Sequence, residues 1–177
     1  MYIISRCLLG SDCKYDGGDN YNEDVTEFSR THDYVTVCPE VAGGLGTPRT
    51  PAEIVPVENG YFKVMTRDGA DVTREFDYGA ELSLQSVLVE HGSRRAGTCS
   101  IEGAILKANS PSCGSGVIYD GTFTHTRVCG NGVFTDKLID ACLEERSDQT
   151  ISEDRRAFSE DFRICDENNC RRVFGGK

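Results

Sequence analysis

Tryptophan is absent from this chain of 177 residues, methionine occurs twice, and no apolar run approaches a membrane span in length. The three histidines, His32, His91 and His125, each stand alone, so spacing gives no histidine metal motif and each reads as a surface or turn residue. Basic residues are also scarce, with 19 Lys and Arg against 29 Asp and Glu and a net charge of −10. Such a chain lacks the basic face that grips a phosphate backbone, so no nucleic-acid partner is expected. A small anionic or neutral substrate stays open, because local charge governs that. The opening MYIISRCLLGSDC has too short an apolar stretch for a signal peptide. A cytoplasmic location is therefore expected, where thiols stay reduced.

Against these absences stand nine cysteines, an odd number that excludes a complete set of intramolecular disulfides. Reduced cysteines serve as buried small hydrophobes, metal ligands or nucleophiles. Their placement along the chain separates these roles. Tyr2 to Ser5 is a short apolar run, read as a buried strand, that delivers the chain to Cys7. Tyr34 to Val37 is a second strand and ends at Cys38. Cys99 to Lys107 reads as a third, leading to Asn109-Ser110-Pro111-Ser112-Cys113-Gly114.

Between them, Asn22 to Arg30 suggests a short helix, and Glu58-Asn59-Gly60 a hairpin turn between Val55–Val57 and Tyr61–Thr66. A long helix is expected from a cap at Asp71 or Thr73 to a stop at Gly92, with Phe76, Ala80, Leu84, Val87 and Leu88 on one face. Val117–Tyr119 and Phe123–Val128 look extended, and a last core helix covers about Phe134 to Glu145. Residues 1–146 then form the catalytic domain, and 147–177 a polar appendage of one helix plus a tail. Alternating strands and helices imply an α/β domain with a mainly parallel sheet, whose site lies outside the carboxyl ends of the strands. If the three strands are neighbours, Cys7, Cys38 and Cys113 converge there.

Soft thiolates select zinc, copper(I) or iron–sulfur clusters. A structural zinc site wants four ligands, often in close-spaced pairs, whereas three remote cysteines suit a cluster with one iron left open as a Lewis acid. Cys38-Pro39 fits such a site, since proline donates no N–H beside the sulfur. Glu40 is either a loop-stabilising carboxylate or a general base. Ser110 and Ser112 are either turn residues or hydrogen-bond partners of a substrate. Gly43, Gly44 and Gly46 would let the loop backbone approach a substrate that Arg49 contacts.

The blocks CLLGSDCKYDG, CPEVAGGLGTPRTPAEI, ILKANSPSCGSGVIYDGTF and GNGVFTDKLI together resemble the domain-of-unknown-function 523 family, whose characterised member is a thiouracil desulfurase. The resemblance spans residues 1 to about 145, with the blocks in family order. It implies a Rossmann-like domain holding a four-iron, four-sulfur (4Fe-4S) cluster on Cys7, Cys38 and Cys113. Cys13 is implied as a possible substitute ligand, Glu40 as the catalytic acid/base and Ser110 as an assisting serine. The implied reaction is non-redox desulfuration of a small thiolated pyrimidine, giving an oxo product and sulfide. The additional cysteines Cys99, Cys129, Cys142, Cys165 and Cys170 lie outside that pattern. Cys142 reads as core, and Cys165 with Cys170 as a second thiol pair. Two other functions remain: a zinc- or cluster-binding module without activity, and a thiol-based redox or sulfur-carrier protein.

Overall fold

A computed structural model describes residues 1–94, 100–152 and 155–175; Cys99 lies outside these. Strand β1 (Tyr2–Ser5) is buried along its whole length, as a strand covered on both faces requires. It enters a 3-10 turn (Arg6–Leu9) closed by Gly10 at φ 83°, a left-handed conformation that glycine adopts without strain. Helix α1 (Glu23–Ser29) begins where Asn22 Oδ1 accepts the Val25 amide at 3.1 Å. Strand β2 (Tyr34–Val37) runs into Cys38, the N-cap of the one-turn helix α2 (Pro39–Ala42). The prolines and glycines here predict irregular backbone, but Pro39 takes the first helical position, where its missing N–H costs nothing.

Strands β3 (Ala52–Pro56) and β4 (Phe62–Thr66) form the expected antiparallel hairpin. Helix α3 (Thr73–Arg94) follows, with Asp71 Oδ1 accepting the Thr73 amide at 3.1 Å. Phe76, Ala80, Leu84 and Val87 are buried on its inner face, whereas Leu88 is 38% exposed. His91, expected at the surface, is buried because it lies one turn beyond Val87 on that same face. Gly92 does not stop the helix.

The chain continues through β5 (Ile101–Leu106), β6 (Val117–Tyr119), β7 (Arg127–Cys129) and α4 (Val133–Ser147). The extended reading of Phe123–Val128 gives way to a turn over most of its length. Asp120 Oδ1 accepts the amide and the hydroxyl of Thr122, and Phe123 and His125 turn the chain at φ 58° and 62°.

The C-terminal segment, read as one helix plus a tail, supplies β8 (Phe158–Asp166) and the short α5 (Cys170–Phe174). FSEDFRICD conceals a strand because an edge strand tolerates charge on its open side. Its pairing partner lies more than fifty residues away in β5.

Strands β2, β1, β5 and β8 form one parallel sheet in that order. Two apolar clusters cover its faces. Ile3, Ala104 and Leu106 join Phe76, Val87, Phe134 and Leu138 of α3 and α4. Ile4 and Ile105 join Leu8, Val25 and Phe174 on the side of α1 and α5. This layered α/β arrangement is the Rossmann-like class expected. Among the described residues no helix is long and apolar enough to cross a membrane.

Two glycines set how closely α2 lies on α3. A Cβ at Gly79 would strike the Pro39 carbonyl oxygen, and one at Gly43 the Glu75 carbonyl oxygen. Gly43 therefore serves the helix contact that holds Cys38, Pro39 and Glu40. Gly79→Ala is expected to destabilise by about 1–3 kcal/mol through overpacking. Gly92→Ala, in open space on the same helix, should be neutral or stabilise by up to about 1 kcal/mol. Urea unfolding of both variants checks this; equal effects would remove the contact from its assigned role.

Candidate active site

Because β1 is flanked by β2 and β5 with all three parallel, the chain leaves the sheet three times at one rim. The sequence changes direction on either side of β1, which is where open α/β sheets place a ligand crevice. A cavity of about 310 Å³ lies there, lined by Cys7, Cys13, Cys38 and Cys113 together with Glu40 and Ser110. Cys7 sits in the 3-10 turn after β1 and Cys38 directly after β2. Cys113 is reached by a loop from β5. Gly132 lets the start of α4 press on that loop: a Cβ there would strike Ser112, whose carbonyl accepts the Phe134 amide at 2.9 Å.

Each thiol has a neighbour that favours its anionic form. Ser5, the one polar residue of β1, accepts the Lys107 amide at 3.0 Å and hydrogen-bonds Cys113. Asn20 hydrogen-bonds Cys7, and Arg6 reaches Cys13. Hydrogen bonds from Cys38 and Cys7 hold the Cys13 thiol well below its ordinary pKa. By the same contacts, reinforced by burial, Cys7 and Cys38 are held protonated far above theirs. Burial lifts Cys113 to about 12.

Glu40 is fixed from two sides. Its Oε2 accepts from Arg49 Nε at 2.8 Å and Nη2 at 2.7 Å, and its Oε1 from the Ser112 hydroxyl at 3.1 Å. Arg49 also donates to the carbonyls of Cys13 at 3.0 Å and Gly46 at 3.1 Å. Its guanidinium is thereby committed to holding the carboxylate and loop. Ser112, expected at a substrate, is buried behind Glu40 and does not line the cavity, and neither does Gly44. Ser110 Oγ accepts the amides of Ser112 at 3.1 Å and Cys113 at 3.2 Å. With both lone pairs engaged, its hydroxyl is left to act as a donor.

Other lining residues escaped the sequence reading. Glu53 is buried, and its Oε2 accepts the amides of Gly121 and Phe123, each at 3.0 Å. It thereby fixes the turn that brings His125 to the cavity, near Tyr119 and Arg67. An acidic residue inside a β-branched stretch such as AEIV is the sequence signal for such a buried anchor. The lining contains Lys14, Arg49, Arg67 and Lys107 against Glu40 and Glu53, so this acidic chain surrounds its cavity with cations. Of the four, Arg67 alone has no carboxylate partner among the described residues; it lies over the Phe123 ring, 5.8 Å from the centroid.

Lys107 is held from the C-terminal segment. Glu167 pairs with its Nζ and accepts the Ala108 amide at 2.8 Å. The other thiols are placed apart from this rim. Cys142 is core, Cys165 and Cys170 are buried in the cluster beneath α5, and Cys129 is exposed.

The donor set fits an iron–sulfur cluster. Four thiols face one cavity, and the single lining imidazole belongs to a separate turn. Cys13 touches Cys7 and Cys38 in a row, rather than all four gathering round a point. Among the described residues no three His, Cys, Asp or Glu side chains form a single-ion site. An all-thiolate set with hydrogen-bond donors behind the sulfurs is the chemistry that binds such clusters.

Residues 2–150 match the family model for 2-thiouracil desulfurase. The chain is 37% identical over 158 residues to the uncharacterized protein YbbK of Bacillus subtilis (strain 168), covering 86% of this chain and 95% of that protein. Among solved structures it is similar to the 4Fe-4S-dependent thiouracil desulfidase TudS. The TM-score is 0.70 at 33% identity, covering 97% of this chain and 93% of that one.

Glu167→Gln is expected to cost about 1.5–3 kcal/mol, the usual worth of a hydrogen bond to a charged group. It should also speed hydrogen exchange at the amides from Ala108 to Cys113 and leave the β3–β4 hairpin unchanged. Urea unfolding and exchange mass spectrometry check both; unaltered exchange would show that the loop is held without the clamp.

Proposed function

The chain belongs to the 2-thiouracil desulfurase family, and on that premise we propose that its strand-end cavity takes the sulfur from a small thiolated pyrimidine without redox change. The observation that carries this is the meeting of Cys7, Cys38 and Cys113 with Glu40 and Ser110 around one cavity.

Cys7, Cys38 and Cys113 would hold a 4Fe-4S cluster. Bound there, it would supply a Lewis-acidic iron for the thiocarbonyl sulfur. Ser5 and Asn20 support the Cys113 and Cys7 thiolates by hydrogen bonding. Arg49 and Ser112 hold the Glu40 carboxyl group in place from two sides. Glu40 takes a proton from water at Oε1, the oxygen that Arg49 leaves free, and the water oxygen attacks the carbon bearing sulfur. Ser110 gives its hydroxyl hydrogen bond to the reacting water or substrate. Oxygen from water ends in the product carbonyl, and sulfur leaves as sulfide. Arg67 and His125, which line the same cavity, would meet the substrate's polar edge. Arg49 lines the same cavity and also acts through Glu40, which it holds.

Anaerobic reconstitution followed by a panel of thiolated pyrimidines is the direct test, read as sulfide released and oxo product formed. Glu40→Gln is expected to keep the cluster's visible absorbance and lose about 10²–10⁴-fold in turnover; an active variant would remove the assigned base. Cys113→Ala should lose bound iron and acid-labile sulfide together, and full iron occupancy would refute the ligand set. Zinc in place of iron and sulfide after anaerobic preparation would favour the non-enzymatic module.

A further inference from the structure

Two carboxyl groups line the cavity, Glu40 and Glu53, and the reaction uses only the first. Glu53 stands on β3 opposite Met65 of β4 and is 7% exposed. Arg67, which lines the same cavity, follows β4 and donates its amide to the Pro51 carbonyl at 2.9 Å. Pro51 and Glu53 alternate with Ala52 along one strand, and Arg67 lies opposite Pro51. Alternation of side chains therefore puts Arg67 and Glu53 on the same face of the hairpin.

The two oxygens of Glu53 are unequal. Oε2 accepts the amides of Gly121 and Phe123, each at 3.0 Å. The turn carrying those amides lies hard on β3, since a Cβ at Gly121 would strike the Ile54 carbonyl oxygen. The ordinary explanation for a buried carboxyl group is that it ties down such a turn, and Oε2 does so. Oε1 has no hydrogen-bond partner among the described residues. A buried carboxyl oxygen without a donor is costly and uncommon. Glu40 gives the contrast, with both of its oxygens accepting from protein donors. Arg67 is the complement of Glu53, a lining cation with no carboxylate partner among the described residues. One hairpin face thus offers the cavity an acceptor and a fork of donors.

We propose that Glu53 and Arg67 read the edge of the substrate ring, Glu53 Oε1 accepting a ring N–H and Arg67 donating to the carbonyl oxygen beside it. A thiolated uracil carries an N–H between its thiocarbonyl carbon and a carbonyl carbon, whichever of the two positions holds sulfur. A thiolated cytosine reverses the pattern at that edge, with a bare ring nitrogen beside an amino group. It would set a lone pair against Oε1 and N–H groups against the guanidinium. The pair therefore selects uracil-type rings and rejects cytosine-type ones. Glu53 acts in specificity and takes no part in the proton transfer assigned to Glu40. This inference rests on the desulfuration reading of the preceding subsection and names the groups that choose its substrate.

The test uses the full chain, reconstituted anaerobically, with 2-thiouracil and 2-thiocytosine as substrates and uracil and cytosine as ligands. Wild-type protein is expected to favour 2-thiouracil in kcat/KM by about 10²-fold or more, and to bind uracil in preference to cytosine by titration calorimetry. Glu53→Gln keeps an oxygen for the two turn amides, which forces its N–H₂ group towards the cavity. That variant should lower the preference by at least about tenfold, through a raised KM for 2-thiouracil and a gain for 2-thiocytosine. Arg67→Met, at an exposed position, should raise KM for 2-thiouracil and leave 2-thiocytosine nearly unchanged. An equal loss of kcat on both substrates in Glu53→Gln overturns the proposal, because a structural or proton-accepting role gives that result. Equal binding of uracil and cytosine to wild-type protein overturns it as well, and leaves the desulfuration reading standing. Selective binding of uracil with no sulfide released from any thiolated pyrimidine would uphold the edge reading and overturn the reaction.

Discussion

Parallel hydrogen bonding of β1 to β2 on one side and β5 on the other is the constraint from which the site follows. Paired strands stand about 4.8 Å apart. Three chain segments separated by roughly thirty to a hundred residues must therefore finish side by side. No side-chain contact has to search for that meeting, because backbone pairing enforces it. Ser5 then converts sheet register into site geometry. One hydroxyl ties the end of β1 to the start of the β5 loop and touches the Cys113 thiol. An apolar residue at this position would keep the strand but lose the tie.

A second layer of order comes from charge. Glu40 sits in the one-turn helix α2 just before a loop rich in glycine, and Arg49 fixes its carboxylate by binding it twice while also holding two carbonyls. One guanidinium thus organises the carboxylate, the Cys13 backbone and the bend before β3. An excess of negative charge over the whole molecule coexists with a cavity edged by Lys14, Arg49, Arg67 and Lys107. Net charge therefore says little about what the cavity accepts.

Much of this could be read in the amino-acid order. YIIS and YVTV are short β-forming runs that stop at a cysteine, and period-3.6 burial marked α3. The convergence of three remote thiols was expected on the condition that the three strands are neighbours, which the pairing of β1 with β2 and β5 meets. Other parts were illegible for physical reasons. Strand β8 is polar because it lies at an edge, and its partner in β5 is remote in sequence. Ser112 looked like a substrate contact because composition cannot tell a residue that faces a cavity from one that braces its neighbour. Gly43 suggested room for a ligand, whereas it makes room for α3. Cys13 was visible as a thiol, but its place in the same cavity as the other three exists only in three dimensions.

The clamp from Glu167 to Lys107 and Ala108 fixes when, during synthesis, the site becomes whole. Cys7 and Cys38 leave the ribosome early, and the residue that locks the Cys113 loop comes last among these parts. At typical elongation rates the interval is about ten to thirty seconds. Through it Cys7 and Cys38 have no finished rim to shelter them, because the loop that carries Cys113 is not yet clamped.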